Sequence, residues 1–274
     1  MTSTTAFVLG GGGVLGAVEV GMLESLGAAG ITPDLVVGTS IGAINGSLVA
    51  ARPDDAVERL RQLWAEVATG QSEVYGGPLQ QVREAISSRT HLHSSQPLRE
   101  RLERELGDRT FDDLVVPFQC VAASIERAAE HWFTSGRVVD AVVASAAVPG
   151  LLPPAEVDGE HFLDGGIVNS IPVGRAVELG ATRIYVLQVG RVEEPLTAPK
   201  RPWEVARVSF EIARRHRYNR EMAAVPEGVE VHVLPSGASV STQEDKVRAY
   251  RDFSSVQRRM DAAAAASAAY LEDR

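Results

Sequence analysis

The strongest constraint on this chain is a pair of glycine-rich turns, each set between an apolar run and a helical pattern. A short apolar run, Thr5 to Leu9, ends in four consecutive glycines, Gly10 to Gly13. A helical pattern follows, in which Val14, Val18, Met22 and Leu26 recur every four residues. A second apolar run, Leu35-Val36-Val37, ends in Gly38-Thr39-Ser40-Ile41-Gly42 and leads into a small-residue helix from Ile41 to Ala51. Helical patterns over Val57 to Val67 and Pro97 to Leu106 come next, then strand patterns at Phe118 to Ile125 and Glu130 to Thr134. Val138 to Val148 reads as a helix, and Ala155 to Leu163 as a hairpin about Asp158-Gly159. Helix, strand and helix recur to the end of the chain. Strands alternating with helices predict an α/β fold: a mostly parallel central sheet with helices on both faces, in three layers.

With 274 residues and 45% hydrophobic content, the chain can bury one large core. We expect one domain over residues 1–274, with its defining motifs in 6–50 and 115–190. Residues 69–110 read as a cap or insertion, and residues 200–274 as a mainly helical C-terminal part. The single cysteine, Cys120, rules out an internal disulfide and sits in an apolar run as a core residue. A net charge of −9 argues against nucleic acid as a partner, because neutralising phosphates needs a basic footprint. No apolar run reaches the roughly 20 residues of a membrane-spanning helix. The expectation is a cytoplasmic protein, with peripheral membrane contact as an addition.

Two motifs carry chemistry on their own terms. Gly38-Thr39-Ser40-Ile41-Gly42 is a G-x-S-x-G between strand and helix, the setting in which a sharp turn lifts a serine hydroxyl out of the sheet. The helix N-terminus behind Ser40 favours developing negative charge. In the first loop, consecutive glycines let backbone amides converge on an anion, here the oxyanion of an acyl-transfer intermediate. The same loop holds a literal G-x-G-x-x-G (Gly11, Gly13, Gly16), so a nucleotide-binding α/β protein is a competing reading. Against it, Asp34 precedes its strand instead of following it. A third segment, Asp164-Gly165-Gly166, follows the strand His161-Phe162-Leu163, and alone it reads as a turn capped by its aspartate.

Taken together, the order of these motifs resembles patatin-like phospholipases. The likeness extends through Gly38 to Gly46, through Ser145-Ala146-Ala147-Val148-Pro149-Gly150, and through Leu163 to Val173. The resemblance implies a lipid acyl hydrolase with a serine–aspartate dyad and no cofactor or metal. In it Ser40 attacks the ester, and Asp164 orients it and takes its proton. The amides of Gly11, Gly12 and Gly13 form the oxyanion hole, and Gly10, Gly16, Gly38, Gly42, Gly165 and Gly166 support the turns. One departure stands out: the family usually has Arg or Lys where this chain has Leu15. That leaves a catalytically weak or inactive lipid-binding relative as an alternative.

Other candidates are weaker. His216 and His232 follow Asp164 and could complete a triad, but the first reads as solvated and the second as a strand residue. His91 and His93 lie two apart in a polar stretch and read as solvated loop residues. The segment from Trp203 is locally basic through Arg207, Arg214, Arg215, Arg217 and Arg220. Its arginines are candidates for contact with acidic lipid headgroups, against the plainer reading of a solvated helix face.

Overall fold

The computed structural model describes residues 3–68, 93–189, 195–237 and 256–274. Its elements are β1 (Thr5–Leu9), α1 (Ala17–Ala28), β2 (Leu35–Thr39), α2 (Ile41–Ala51), α3 (Ala56–Ala68), α4 (Gln96–Leu106), β3 (Phe118–Ser124) and β4 (Ala129–Phe133). They continue with α5 (Val138–Ser145), β5 (Ala155–Val157), β6 (Glu160–Asp164), α6 (Val173–Glu178), β7 (Arg183–Leu187), α7 (Pro202–Ala223), β8 (Glu230–Val233) and α8 (Val256–Glu272). One 8-stranded sheet runs in the order β5-β6-β3-β2-β1-β7-β8, with β4 paired to β3. From β3 to β8 the pairs are parallel, and β4, β5 and β6 join antiparallel at one side. The expected α/β sheet is present, with its antiparallel strands gathered at one edge.

Period-two alternation sends each strand into two cores. Phe7 and Leu9 of β1 pack with Met22, Leu48 and Met260 on one face, while Ala6 and Val8 pack with Val173, Ala176 and Tyr218 on the other. A strand covered on both sides reads as an unbroken apolar run, as β1 does.

Helix α1 departs from the single apolar face expected of it. A 3₁₀ turn, Gly13–Gly16, precedes it, and it is buried on nearly every side. The cause is α8, which lies against it. A Cβ on Gly21 would stand 2.1 Å from the Met260 carbonyl oxygen, and Ser25 Oγ donates to the Ala264 carbonyl at 2.7 Å. The run Ala262 to Ala266 is thus a close-packing surface. The stretch read as a cap is described from residue 93 onward, where α4 buries Leu102 and Leu106 in the larger core. Residues 69–92, including His91, lie outside the described residues.

Candidate active site

Ser40 occupies the turn between β2 and α2 with φ 55° and ψ −120°. A β-carbon in that region costs about 1–3 kcal/mol, so the surroundings must hold it there. They do so from two sides. The Ser40 amide donates to Ser145 Oγ at 3.0 Å, and the Ser145 hydroxyl donates to the Val121 carbonyl at 2.6 Å. Thr39 Oγ1 donates to the Asn169 carbonyl at 2.8 Å. Gly42 lets the first turn of α2 close on β1: a Cβ there would lie 2.3 Å from the Leu9 carbonyl oxygen.

The sheet register brings Asp164 to this serine. Strand β3 pairs with β2 up to Thr39–Val121, and with β6 from Ala122–Asp164 onward. Because β4 occupies the other edge of β3, β2 and β6 share one edge, end to end. The residue after Thr39 and the residue opposite Ala122 are therefore neighbours. Ser40 Oγ donates to Asp164 Oδ2 at 2.6 Å, and Asp164 Oδ1 accepts the Gly166 amide at 2.7 Å. Gly165 is required beside them, since a Cβ would fall 2.1 Å from the Val121 carbonyl oxygen. Burial pushes the Asp164 carboxyl up to about 6, against the two hydrogen bonds that favour its charged form. At neutral pH the carboxyl is thus largely ionised, with Oδ2 accepting the Ser40 hydroxyl.

The glycine loop lies against Ser40, with a Cβ on Gly11 placed 3.5 Å from Ser40 Cβ. Its amides are not equivalent. Gly10 donates to the Leu187 carbonyl at 2.9 Å and Gly11 to the Ser170 carbonyl at 2.8 Å. This corrects the expectation for Gly11, whose donor is already engaged in anchoring the loop. Among the described residues the amides of Gly12 and Gly13 have no protein acceptor, nor do those of Ile41 and Gly42 at the start of α2. Leu15 is half-buried in the 3₁₀ turn that follows.

Beneath the loop sits a carboxyl that the sequence reading passed over. Glu19 is fully buried, and burial pushes it well above the usual carboxylate range. Asn45 Nδ2 donates to Glu19 Oε2 at 2.7 Å and to the Gly16 carbonyl at 3.0 Å, and Trp64 Nε1 donates to Asn45 Oδ1 at 3.3 Å. A cavity of about 140 Å³ opens at Ser40 and Gly13 and runs along one face of α2, lined by Ile41, Ile44, Asn45 and Leu48. Ser145 was also missed. A lone hydroxyl ending the apolar helix Val138–Ser145 needs a buried partner, and that was the available signal.

The remaining candidates fall elsewhere. Asp34 accepts the Thr5 amide at 2.8 Å, at the opposite end of the strands from Ser40, so no acidic residue stands where a dinucleotide fold needs one. His232 stacks on Tyr185 at 4.8 Å on β8, three strands from β2, and His216 is exposed on α7. His93 is buried, not solvated, and its amide donates to the Leu151 carbonyl at 2.9 Å. On α7, Arg214 is 7% exposed, and Arg214 and Arg215 both pair with Glu211, so neither guanidinium forms the free basic face expected. The Arg207 side chain lies outside the described residues. Beside the exposed His216 and Arg220, α7 also exposes three apolar side chains, Val205, Phe210 and Ile212. Among the described residues no helix is long and apolar enough to cross a membrane.

A strained serine at a strand-to-helix turn, one buried carboxylate bonded to it and a glycine loop at its side meet at one end of the parallel strands of this α/β fold. The chain belongs to the patatin-like phospholipase family, whose model matches residues 7–177. It is 31% identical over 192 residues to the mouse patatin-like phospholipase domain-containing protein 7, covering 69% of this chain and 14% of that protein. It is 32% identical over 191 residues to Lysophospholipase nte1 of Emericella nidulans, covering 68% of this chain and 12% of that one. The chain thus spans only a small part of the length of these relatives. Among solved structures, VipD from Legionella pneumophila aligns with a TM-score of 0.44 at 17% identity, over 94% of this chain and 67% of VipD.

Proposed function

We propose that this chain is a serine acyl hydrolase that cleaves carboxylic ester bonds of lipids (phospholipids, lysophospholipids or acylglycerols) through an acyl-Ser40 intermediate. The observation that carries this reading is the 2.6 Å hydrogen bond from Ser40 Oγ to Asp164 Oδ2, made at a strained turn beside an apolar cavity. As Ser40 Oγ attacks the ester carbonyl, its proton passes to Asp164. The oxyanion then meets the amides of Gly12 and Gly13 and the N-terminus of α2, and Leu15 leaves this charge to backbone donors alone. Collapse expels the alcohol, which takes the proton from Asp164. Water next attacks the acyl-serine and gives a proton to Asp164; the fatty acid leaves, and that proton returns to Ser40.

A relative named as a lysophospholipase supports a lysophospholipid within this substrate class. Contact with the lipid surface is assigned to Ile167 and Phe210, each about two-fifths exposed. Phe210 Cζ lies 3.2 Å from a Cβ placed on Gly166, directly beside the carboxylate. The test is intact-mass analysis after a fluorophosphonate probe, with wild type beside Ser40→Ala. A single adduct lost in the variant is expected; a folded wild type that takes no adduct would defeat the proposal and favour a binding-only relative.

A further inference from the structure

The cavity has a direction. Ile41, Ile44, Asn45 and Leu48 recur at helical spacing, so they form one stripe that starts at Ser40, the N-cap of α2, and runs toward its C-terminus. At that far end the wall changes character. Glu105 lines the cavity and is paired with Arg59 and, at 3.9 Å, with Arg52, the C-cap of α2. Arg101, one turn earlier on α4, also lines it and pairs with Glu66. The side walls are apolar: Leu60, Trp64, Leu98 and Leu102. An apolar channel that begins at a nucleophile therefore ends on ion pairs.

Its capacity is small. A cavity of about 150 Å³ lined by aliphatic and aromatic side chains takes one benzene, roughly six carbons, and this one holds about 140 Å³. Arg101 and Glu105 meet whatever reaches past that volume. The Arg101 side chain is 12% exposed, with no acceptor for Nη1 among the described residues, and that of Glu105 is 6% exposed, so neither ion has water to spare. A longer hydrocarbon would have to strip the remaining solvation from these ions, which opposes its entry.

From this geometry we infer that the site selects acyl groups of about six to eight carbons, with the Arg101–Glu105 wall as the stop. The inference rests on reading Ser40 as the acyl-accepting nucleophile. It separates chain length from headgroup: a lipid with a long acyl chain fits only if most of that chain stays outside.

The test is kcat/KM for p-nitrophenyl esters from four to sixteen carbons in wild type, Arg101→Leu and Leu98→Trp. Each buried methylene is worth about fourfold, so wild type should climb by about that factor per carbon to six or eight. It should then fall at least tenfold by fourteen. Arg101→Leu should move the optimum outward by two carbons or more, and Leu98→Trp, which fills the channel, should move it toward four. A wild-type optimum at fourteen to sixteen carbons, or the same optimum in all three proteins, overturns the inference. Calorimetry of free fatty acids with Ser40→Ala reads the channel without catalysis. Octanoate binding at least as tightly as palmitate supports the stop, and steadily tightening binding up to palmitate refutes it. Absent ester turnover with that octanoate preference intact would defeat only the hydrolase reading.

Discussion

The turns after β1 and β2 are the same supersecondary unit put to opposite uses. The first is glycine throughout, presents no side chain, and offers amides; Gly11 fastens it to Ser170, while among the described residues Gly12 and Gly13 have no protein acceptor. The second presents one side chain and concentrates its strain on it, at φ 55° on Ser40. A turn that leaves amides unengaged needs slack in its backbone, whereas a turn that projects a single side chain from the sheet needs a backbone held out of its preferred region. The aspartate segment binds both, through the Ser170 carbonyl to the first and the Asn169 carbonyl to the second.

The comparison breaks hardest at the carboxylate that serves the second turn. Asp164→Asn should lower kcat by about 10²–10⁴-fold, with the fold intact. In wild type kcat/KM should rise with pH through about 6, because burial holds the proton on Asp164 below that value and only the charged form accepts from Ser40. The sign for stability is opposite. The folded-state value lies above the ordinary 3.8, so the contribution is full below about pH 4 and is lost as pH rises through about 6. Asp164→Asn should therefore be more stable than wild type at pH 8, by on the order of 2–3 kcal/mol, and gain nothing at pH 3.5. Equal melting temperatures at pH 8 would contradict the buried, charged aspartate.

The donor turn is broken by filling it. A Cβ on Gly12 would lie 1.8 Å from Val189 Cγ2, so Gly12→Ala must displace the loop. A loss of about 10²-fold in kcat is expected for a misplaced oxyanion donor, with partial recovery in Gly12→Ala/Val189→Ala. No recovery would mean that the loop acts otherwise than by position. The smallest effect falls on the anchor of the nucleophile turn. Ser145→Ala leaves the Ser40 amide unpaired and should cost about tenfold in kcat, the worth of one hydrogen bond. The pH midpoint should stay in place; a shifted midpoint would tie Ser145 to the carboxylate itself.

Much of this was legible because local chemistry spells it out. Glycines, an apolar run and one serine fix the second turn, and Asp158-Gly159 fixes its hairpin, with positive φ at both residues. What stayed hidden depends on elements far apart in the chain. Gly11 loses its amide to Ser170, and Ser145 reaches Ser40 across 105 positions. The full burial of α1, and of Glu19 within it, follows from α8, which a periodicity count over α1 cannot anticipate. Arg214 and Arg215 look like a solvated basic face until Glu211, three and four residues before them, takes both guanidinium groups. The aspartate was legible only in company, since alone Asp164-Gly165-Gly166 is an ordinary capped turn.

Strand β3 acts as the gauge of the site. With β2 ending beside Val121 and β6 ending beside Ala122, the separation of Ser40 and Asp164 is counted in residues of a third strand that supplies neither. Helices and loops around the sheet are free to drift over evolutionary time, and side chains on β3 can be exchanged for others of similar size. One residue inserted between those two positions, or one of the two deleted, would slide the partners by about 3.3 Å, more than the length of the hydrogen bond that joins them. Lineages of this fold should tolerate substitution in β3 and forbid any change in its count.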